Sequence, residues 1–297
     1  AVASMEGTSI DQIPGPHVPA REAVGAPRGR SRARLRLGAA LAGFGVLLLA
    51  YVAAVILWRD PVTDLYVRWK QHELAVELDS IFVDQGSVFA SWQASLEIPD
   101  RAVVADASEN GRPSATENQA RRLRAAQLGV ARAANPLHRR LELGKPLGRI
   151  EIPRLGLKAV FVQGTRWGPD LSQGPGHYAQ TSLPGVGRTM AIAGHRTTFG
   201  APFRHIDSLK AGNSVELQLP YGTFHYRVFG HRVVDNGDWS IVRDRGFDTL
   251  VLSACHPLYS ARQRWVVFAR LIWVKPAGGR SYGVTRGGRL RPAFERT

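Results

Sequence analysis

Ser214-Val215-Glu216-Leu217-Gln218-Leu219-Pro220-Tyr221-Gly222-Thr223-Phe224-His225-Tyr226-Arg227-Val228-Phe229-Gly230-His231-Arg232-Val233-Val234 is the stretch that decides the fold. Its first six residues alternate polar and apolar without a break, the period of a strand with one buried face. Pro220-Tyr221-Gly222 then turns the chain into a second β-rich run, which predicts a hairpin. The neighbouring sequence has the same texture. Arg149–Ile152, Leu157–Val162, Thr189–Ala193, Thr249–Ala254 and Arg264–Val274 are short apolar or alternating runs set off by Gly and Pro. That makes about seven or eight strands at close spacing, with little helix between them. The expected fold is mainly β, a closed or nearly closed barrel over residues 147–275.

Upstream of the barrel the pattern changes. Leu37 to Trp58 holds no charged residue and ends at Arg59-Asp60. A helix of that length spans about 33 Å, enough to cross a bilayer. Arg28, Arg30, Arg32, Arg34 and Arg36 precede it directly. The positive-inside rule then keeps residues 1–36, a Gly-, Pro-, Ala- and Arg-rich tail without apolar periodicity that is expected to be disordered, in the cytoplasm. A cleaved signal peptide fits less well, because its apolar core is usually only about 7–15 residues. Residues 37–58 are therefore expected to anchor the chain in a cell membrane as a single pass, with everything after Trp58 outside. Residues 59–146 read as a helical stalk or linker. Val62, Leu65, Trp69, His72, Val76 and Val83 share one helix face, and a second helical stretch runs from Ala115 to Ala134. Residues 276–297 are expected to be a loose tail.

The net charge is +15, with 39 Lys and Arg against 24 Asp and Glu. A surplus that large suits an anionic surface. No helix-turn-helix, zinc-finger or aromatic RNA-binding signature accompanies it, so no nucleic-acid partner is expected.

Cys255 is the single cysteine of the 297 residues. A lone thiol outside the membrane has no intramolecular disulfide partner, and an exposed one is a liability. It ends the apolar run Thr249–Ala254 and is followed by His256-Pro257, as if a strand delivered it to the mouth of a loop. A free thiol is only a few per cent ionised at neutral pH, so it needs a base or cation nearby. Of the nine histidines, His195 is best placed. It follows Ala191-Ile192-Ala193-Gly194, where a strand ends and a polar loop opens. His256 is adjacent to Cys255, but successive strand residues point to opposite faces. Arg264 begins the next strand, nine residues after Cys255. In an antiparallel pair the two stand side by side, and a guanidinium there offers donors to an oxyanion. Arg264, Val266, Phe268 and Arg270 share one face of that strand. Trp265, Val267, Ala269 and Leu271 share the other, which should look into the barrel. Cys255 and His256 lack metal-ligand spacing, and neither a metal nor an organic cofactor is expected.

The combination resembles the sortases, cysteine transpeptidases of Gram-positive cell surfaces, over roughly Leu147 to Val274. The resemblance is carried by Gly148-Arg149-Ile150-Glu151-Ile152-Pro153-Arg154-Leu155-Gly156-Leu157, Gly174-Pro175-Gly176-His177-Tyr178, Ile192-Ala193-Gly194-His195-Arg196-Thr197-Thr198-Phe199-Gly200-Ala201-Pro202-Phe203, and Leu252-Ser253-Ala254-Cys255-His256-Pro257 with Ser260-Ala261-Arg262-Gln263-Arg264. Among subclasses it looks most like class E of the actinobacteria. One departure stands out. The family's Thr-Leu-x-Thr-Cys is here Val251-Leu252-Ser253-Ala254-Cys255, without the hydroxyl beside the cysteine. The resemblance implies His195, Cys255 and Arg264 as a catalytic triad. His177 and Tyr178, in a Gly-rich loop, are expected either to support the structure or to line a substrate groove, and Ala254 and His256 are candidate substrate contacts. The implied partners are surface proteins carrying a C-terminal Leu-Pro-x-Thr-Gly- or Leu-Ala-x-Thr-Gly-like sorting signal, and an acceptor amine from a peptidoglycan precursor or a pilin lysine. Two rival readings stand beside this one. One is an L,D-transpeptidase, whose Ser-His-Gly motif is absent before Cys255. The other is a wall-peptide-binding barrel without chemistry.

Overall fold

The computed structural model describes residues 28–57, 61–96 and 115–292. The expectations for residues 1–27, Trp58 to Asp60, 97–114 and 293–297 lie outside them. Helix α1 (Arg28–Leu57) stands as a unit of its own through Val52. Its segment Ala33–Ala54 is, among the described residues, the one helix long and apolar enough to cross a membrane.

The second unit contains α2 (Pro61–Leu96), α3 (Ala115–Arg140) and ten strands. These are β1 (Pro146–Ile152), β2 (Leu157–Gln163), β3 (Gly176–His177), β4 (Thr189–Ala193), β5 (Ser214–Leu219), β6 (Gly222–Asp235), β7 (Thr249–His256), β8 (Gln263–Pro276), β9 (Tyr282–Val284) and β10 (Leu290–Pro292). Eight of them close on themselves in the order β8-β6-β5-β1-β2-β3-β4-β7, with β7 pairing back to β8. This is the closed barrel expected from the strand spacing. The hairpin read from Ser214–Val234 is present, β5 and β6 meeting at Leu219 and Gly222 across Pro220-Tyr221.

Alternation sorts the side chains. Leu250, Leu252 and Ala254 of β7, and Val267, Ala269 and Leu271 of β8, enter the main core with Ile150, Phe161, Leu217 and Phe224. The opposite face of the same two strands is covered as well. Val251, Val266 and Phe268 form a second cluster with Ala191, Val234 and Ile241. Strands buried on both faces read as continuous apolar runs, which is why Thr249–Ala254 lacks a polar period.

The helices pack on the barrel. Leu74 and Leu78 of α2 cover Val160 and Val162 of β2. Gln71 acts as a stand-in for a strand partner: it accepts from Val160 N at 2.7 Å and donates to Val160 O at 2.9 Å. Lys145–Glu77 (2.9 Å) and Arg149–Asp79 (2.6 Å) flank this seam. Val130, Ala133 and Ala134 of α3 join the main core.

Two expectations need correction. The tail expected to be disordered through residue 36 is helical from Arg28 on. The stripe Val62, Leu65, Trp69, His72, Val76 and Val83 shares a face of α2 as expected, and that face is exposed. Leu74 and Leu78 take the barrel side instead, because a helix with two apolar stripes can bury only the one its neighbour reaches. The tail beyond Lys275 is also not loose through Pro292. It turns back so that β9 pairs with β8 and β10 with β9, and Tyr282, Val284 and Leu290 pack on the core.

Candidate functional site

β4 and β7 run parallel, with Ala193 opposite Ser253 and Gly194 N donating to Ser253 O at 3.1 Å. Two residues further along each chain come His195 and Cys255. Gly194 is required by packing. A Cβ there would stand 2.6 Å from a ring carbon of Phe203, which is fully buried. The backbone carbonyl of His195 accepts from Phe203 N at 3.0 Å, fixing the start of the loop.

The His195 ring is buried, and its Nε2 has no hydrogen-bond partner. Phe199 lies 5.3 Å from it, centroid to centroid, and Trp167 meets it edge-on at 6.4 Å. Burial pushes its pKa below the ordinary histidine value, against a smaller opposing pull from the Trp167 backbone carbonyl. The imidazole is thus held by apolar walls with one nitrogen unclaimed.

Cys255 is half-buried and lies on the outer face of β7, opposite Arg264 in the β7–β8 register. Arg264 Nη1 donates to the sulfur at 3.2 Å and to the carbonyls of Ala261 and Gln263, each at 3.2 Å. The side-by-side placement expected for the two residues is what the strands deliver.

A residue that sequence reasoning passed over ties these parts together. Arg196, next to His195, is almost wholly buried. It donates to the Cys255 carbonyl (3.3 Å), to His256 Nδ1 (3.4 Å) and to the Arg204 carbonyl (3.2 Å), and pairs with Asp207 at 2.8 Å. The guanidinium clamps the loop after β4 to the end of β7. Among so many arginines, nothing local in the sequence sets it apart.

The four residues expected to touch substrate fare differently. His177 is completely buried, with Nδ1 2.7 Å from Gln163 Oε1 and Nε2 3.0 Å from Thr181 Oγ1. It is a core residue and cannot line a groove. Ala254 is 3% exposed and faces the barrel interior, because alternation sends it away from Cys255. A threonine hydroxyl at that position would point into the core. His256 is held by Arg196 and lies 5.4 Å from the Trp265 ring. Tyr178 is half-buried and donates to Ser253 Oγ at 3.4 Å, on the outer side of β7. Trp167 is the exposed aromatic at this site, 72% accessible, on a turn held by the Arg166–Asp170 pair. Among the described residues no group of three or more His, Cys, Asp or Glu side chains is arranged to hold a metal ion.

Residues 150–272 match the family model of the sortase domain. The chain is 30% identical over 135 residues to Sortase D of Bacillus subtilis, covering 44% of this chain and 66% of that protein. It is 26% identical over 150 residues to Sortase SrtE1 of Streptomyces coelicolor, covering 46% of this chain and 43% of that one. Sortase E of Streptomyces avermitilis, a solved structure, is 32% identical over 46% of this chain and 93% of its own, with a TM-score of 0.41. The chain spans 66%, 64% and 43% of the lengths of the curated relatives it matches.

Proposed function

We propose that this barrel, which belongs to the sortase family, is the extracytoplasmic catalytic domain of a membrane-anchored cysteine transpeptidase. The observation that carries the reading is the Arg264 guanidinium 3.2 Å from the Cys255 sulfur, at the end of β7, whose parallel neighbour β4 leads into His195 with its unclaimed Nε2.

The Cys255 thiolate adds to the Thr–Gly carbonyl of a Leu-Pro-x-Thr-Gly- or Leu-Ala-x-Thr-Gly-like signal, forming an S–C bond and a tetrahedral oxyanion. Arg264 is positioned to donate to that oxygen, the kind of preorganised contact typically worth about 3–4 kcal/mol. As the C–N bond breaks, imidazolium His195 gives its Nε2 proton to the leaving glycine amine, and a thioester remains on Cys255. An acceptor amine from the cell wall then attacks the thioester carbonyl, loses a proton to His195 and expels the thiolate. The net change is one amide exchanged for another. The Arg-rich run that opens α1 keeps the N-terminus cytoplasmic.

The test is a quenched fluorescent pentapeptide panel incubated with a glycine-derived amine, with mass spectrometry of the product. The amide-exchange product is expected, and it should vanish after thiol alkylation. Product formed at an unchanged rate by Cys255→Ala protein would sink the reading.

A further inference from the structure

The outer face of α2 is not accounted for by the barrel. Leu65 is 72% exposed, Trp69 60%, Val76 61% and Val83 79%. At about 100° per residue these four fall within one narrow sector, on the far side of the helix from Leu74 and Leu78, which pack on β2. From Leu65 to Val83 the stripe runs about 27 Å along the axis. Its polar borders are already satisfied: Lys70 sits 4.8 Å over the Trp69 ring and pairs with Glu73 at 2.8 Å, and Arg68 pairs with Asp64 at 2.9 Å.

Only residues 58–60 separate α1 from α2. A chain that short reaches about 14 Å at most, whatever the angle between the helices. If Ala33–Ala54 spans the bilayer, the first turns of α2 are held at the membrane–water boundary. There Trp and Tyr are favoured, long cationic side chains extend toward water, and a lengthwise apolar stripe lies flat in the interface.

We infer that α2 is an interfacial helix, seated on the bilayer by Leu65, Trp69, Val76 and Val83 while its opposite face carries the barrel. This rests on reading α1 as a membrane span. It has a consequence for the active site. Thr63 Oγ1, in the first turn of α2, accepts from Phe199 N at 2.9 Å, and the Phe199 ring lies against His195. Seating α2 therefore fixes the height of the His195 loop above the membrane.

The test uses the full chain with Cys255→Ala, reconstituted in vesicles of phosphatidylcholine and phosphatidylglycerol. Single cysteines are placed by Leu65→Cys and Val76→Cys in the stripe, Gly45→Cys in the span, where a side chain meets open space, and Arg154→Cys on the exposed barrel surface. Each carries a nitroxide, and collision with dissolved oxygen is compared with collision with a water-soluble nickel chelate. The expected result is a shift at 65 and 76 toward oxygen access and nickel protection, matching 45 and unlike 154. Nickel access at 65 and 76 equal to that at 154, with 45 protected, overturns the interfacial helix and leaves the anchor standing. Nickel access at 45 as well overturns both. Spin–spin broadening at 65 or 76 that disappears on dilution with unlabelled chain shows a second copy on the stripe, and also overturns it.

Discussion

Arg264 reaches across the β7–β8 pair to place Nη1 3.2 Å from the sulfur of Cys255, its partner in the strand register. The contact is set by backbone pairing and by two carbonyls that hold the guanidinium, Gln263 at the start of β8 and Ala261 in the loop before it. Arg264→Lys keeps the charge but loses the planar fork. It should lower kcat/KM about 100-fold, as expected for loss of one oxyanion donor. Steady-state kinetics on a fluorogenic sorting peptide measures this, and an effect under threefold would show that Arg264 does not meet the oxyanion.

Arg196→Met tests the clamp. The methionine fills the stem's volume but gives up the contacts to Cys255 O, His256 and Asp207. Asp207 is 46% exposed and can rehydrate, so the stability loss should be about 2 kcal/mol, not the larger cost of a stranded buried charge. Because the lost tether is on the nucleophile's own backbone, kcat should fall more than KM rises. Urea unfolding and steady-state kinetics read the two effects. An unchanged kcat would leave Arg196 a purely structural residue.

Gly194→Ala should be costly for its size. The new methyl meets the Phe203 ring at 2.6 Å, and that fully buried ring can move only by disturbing its own packing. Overpacking of this kind typically costs about 1–3 kcal/mol. The displaced ring also shifts the carbonyl contact that starts the His195 loop. A crystal structure of the variant should show Phe203 moved. Wild-type stability would mean the strand absorbs the methyl.

The pH dependence of stability has opposed sources, His177 with His195 and His225 on one side and Asp248 with Glu216 on the other. Burial lowers His177 to about 3, so below pH 6.5 the unfolded chain takes up a proton that the folded one refuses. Stability contributed by neutral His177 is present above 6.5 and is lost as pH falls, at about 1.4 kcal/mol per unit. Burial raises Asp248 to about 6, despite donations from Gly185 N and Gly187 N. Its ordinary value is 3.8, so the folded chain binds the proton first and this contribution is lost as pH rises from about 4 to 6. His177 and Asp248 offset each other between pH 4 and 6, and His225, lowered to about 4 by burial, leaves a net loss of stability toward acid there. His177→Gln should therefore flatten or reverse the acid loss of stability in that window, and Asp248→Asn should steepen it. Urea midpoints at pH 4, 5, 6 and 7 give the slopes. A His177→Gln protein with the wild-type slope would contradict the assignment.

Sequence alone determined what has a short period. The 2.0 alternation of Ser214–Leu219 and of Arg264–Leu271 fixed strands and faces, and the turn at Pro220-Tyr221-Gly222 fixed the hairpin. The end of an apolar run located Cys255, and the uncharged Leu37–Trp58 run marked the helix that carries the apolar span. Each is written in neighbouring residues, because strand and helix periods are local properties of the chain. Tertiary structure alone decided which partner each face meets. It closed β7 onto β8, turned Ala254 and His177 into the core, and brought Arg196 to the cysteine's carbonyl. It also chose Leu74 and Leu78 over Trp69 and Val76 as the buried stripe of α2. Two apolar faces look alike in sequence; only the surface that packs against one of them, here β2, tells them apart.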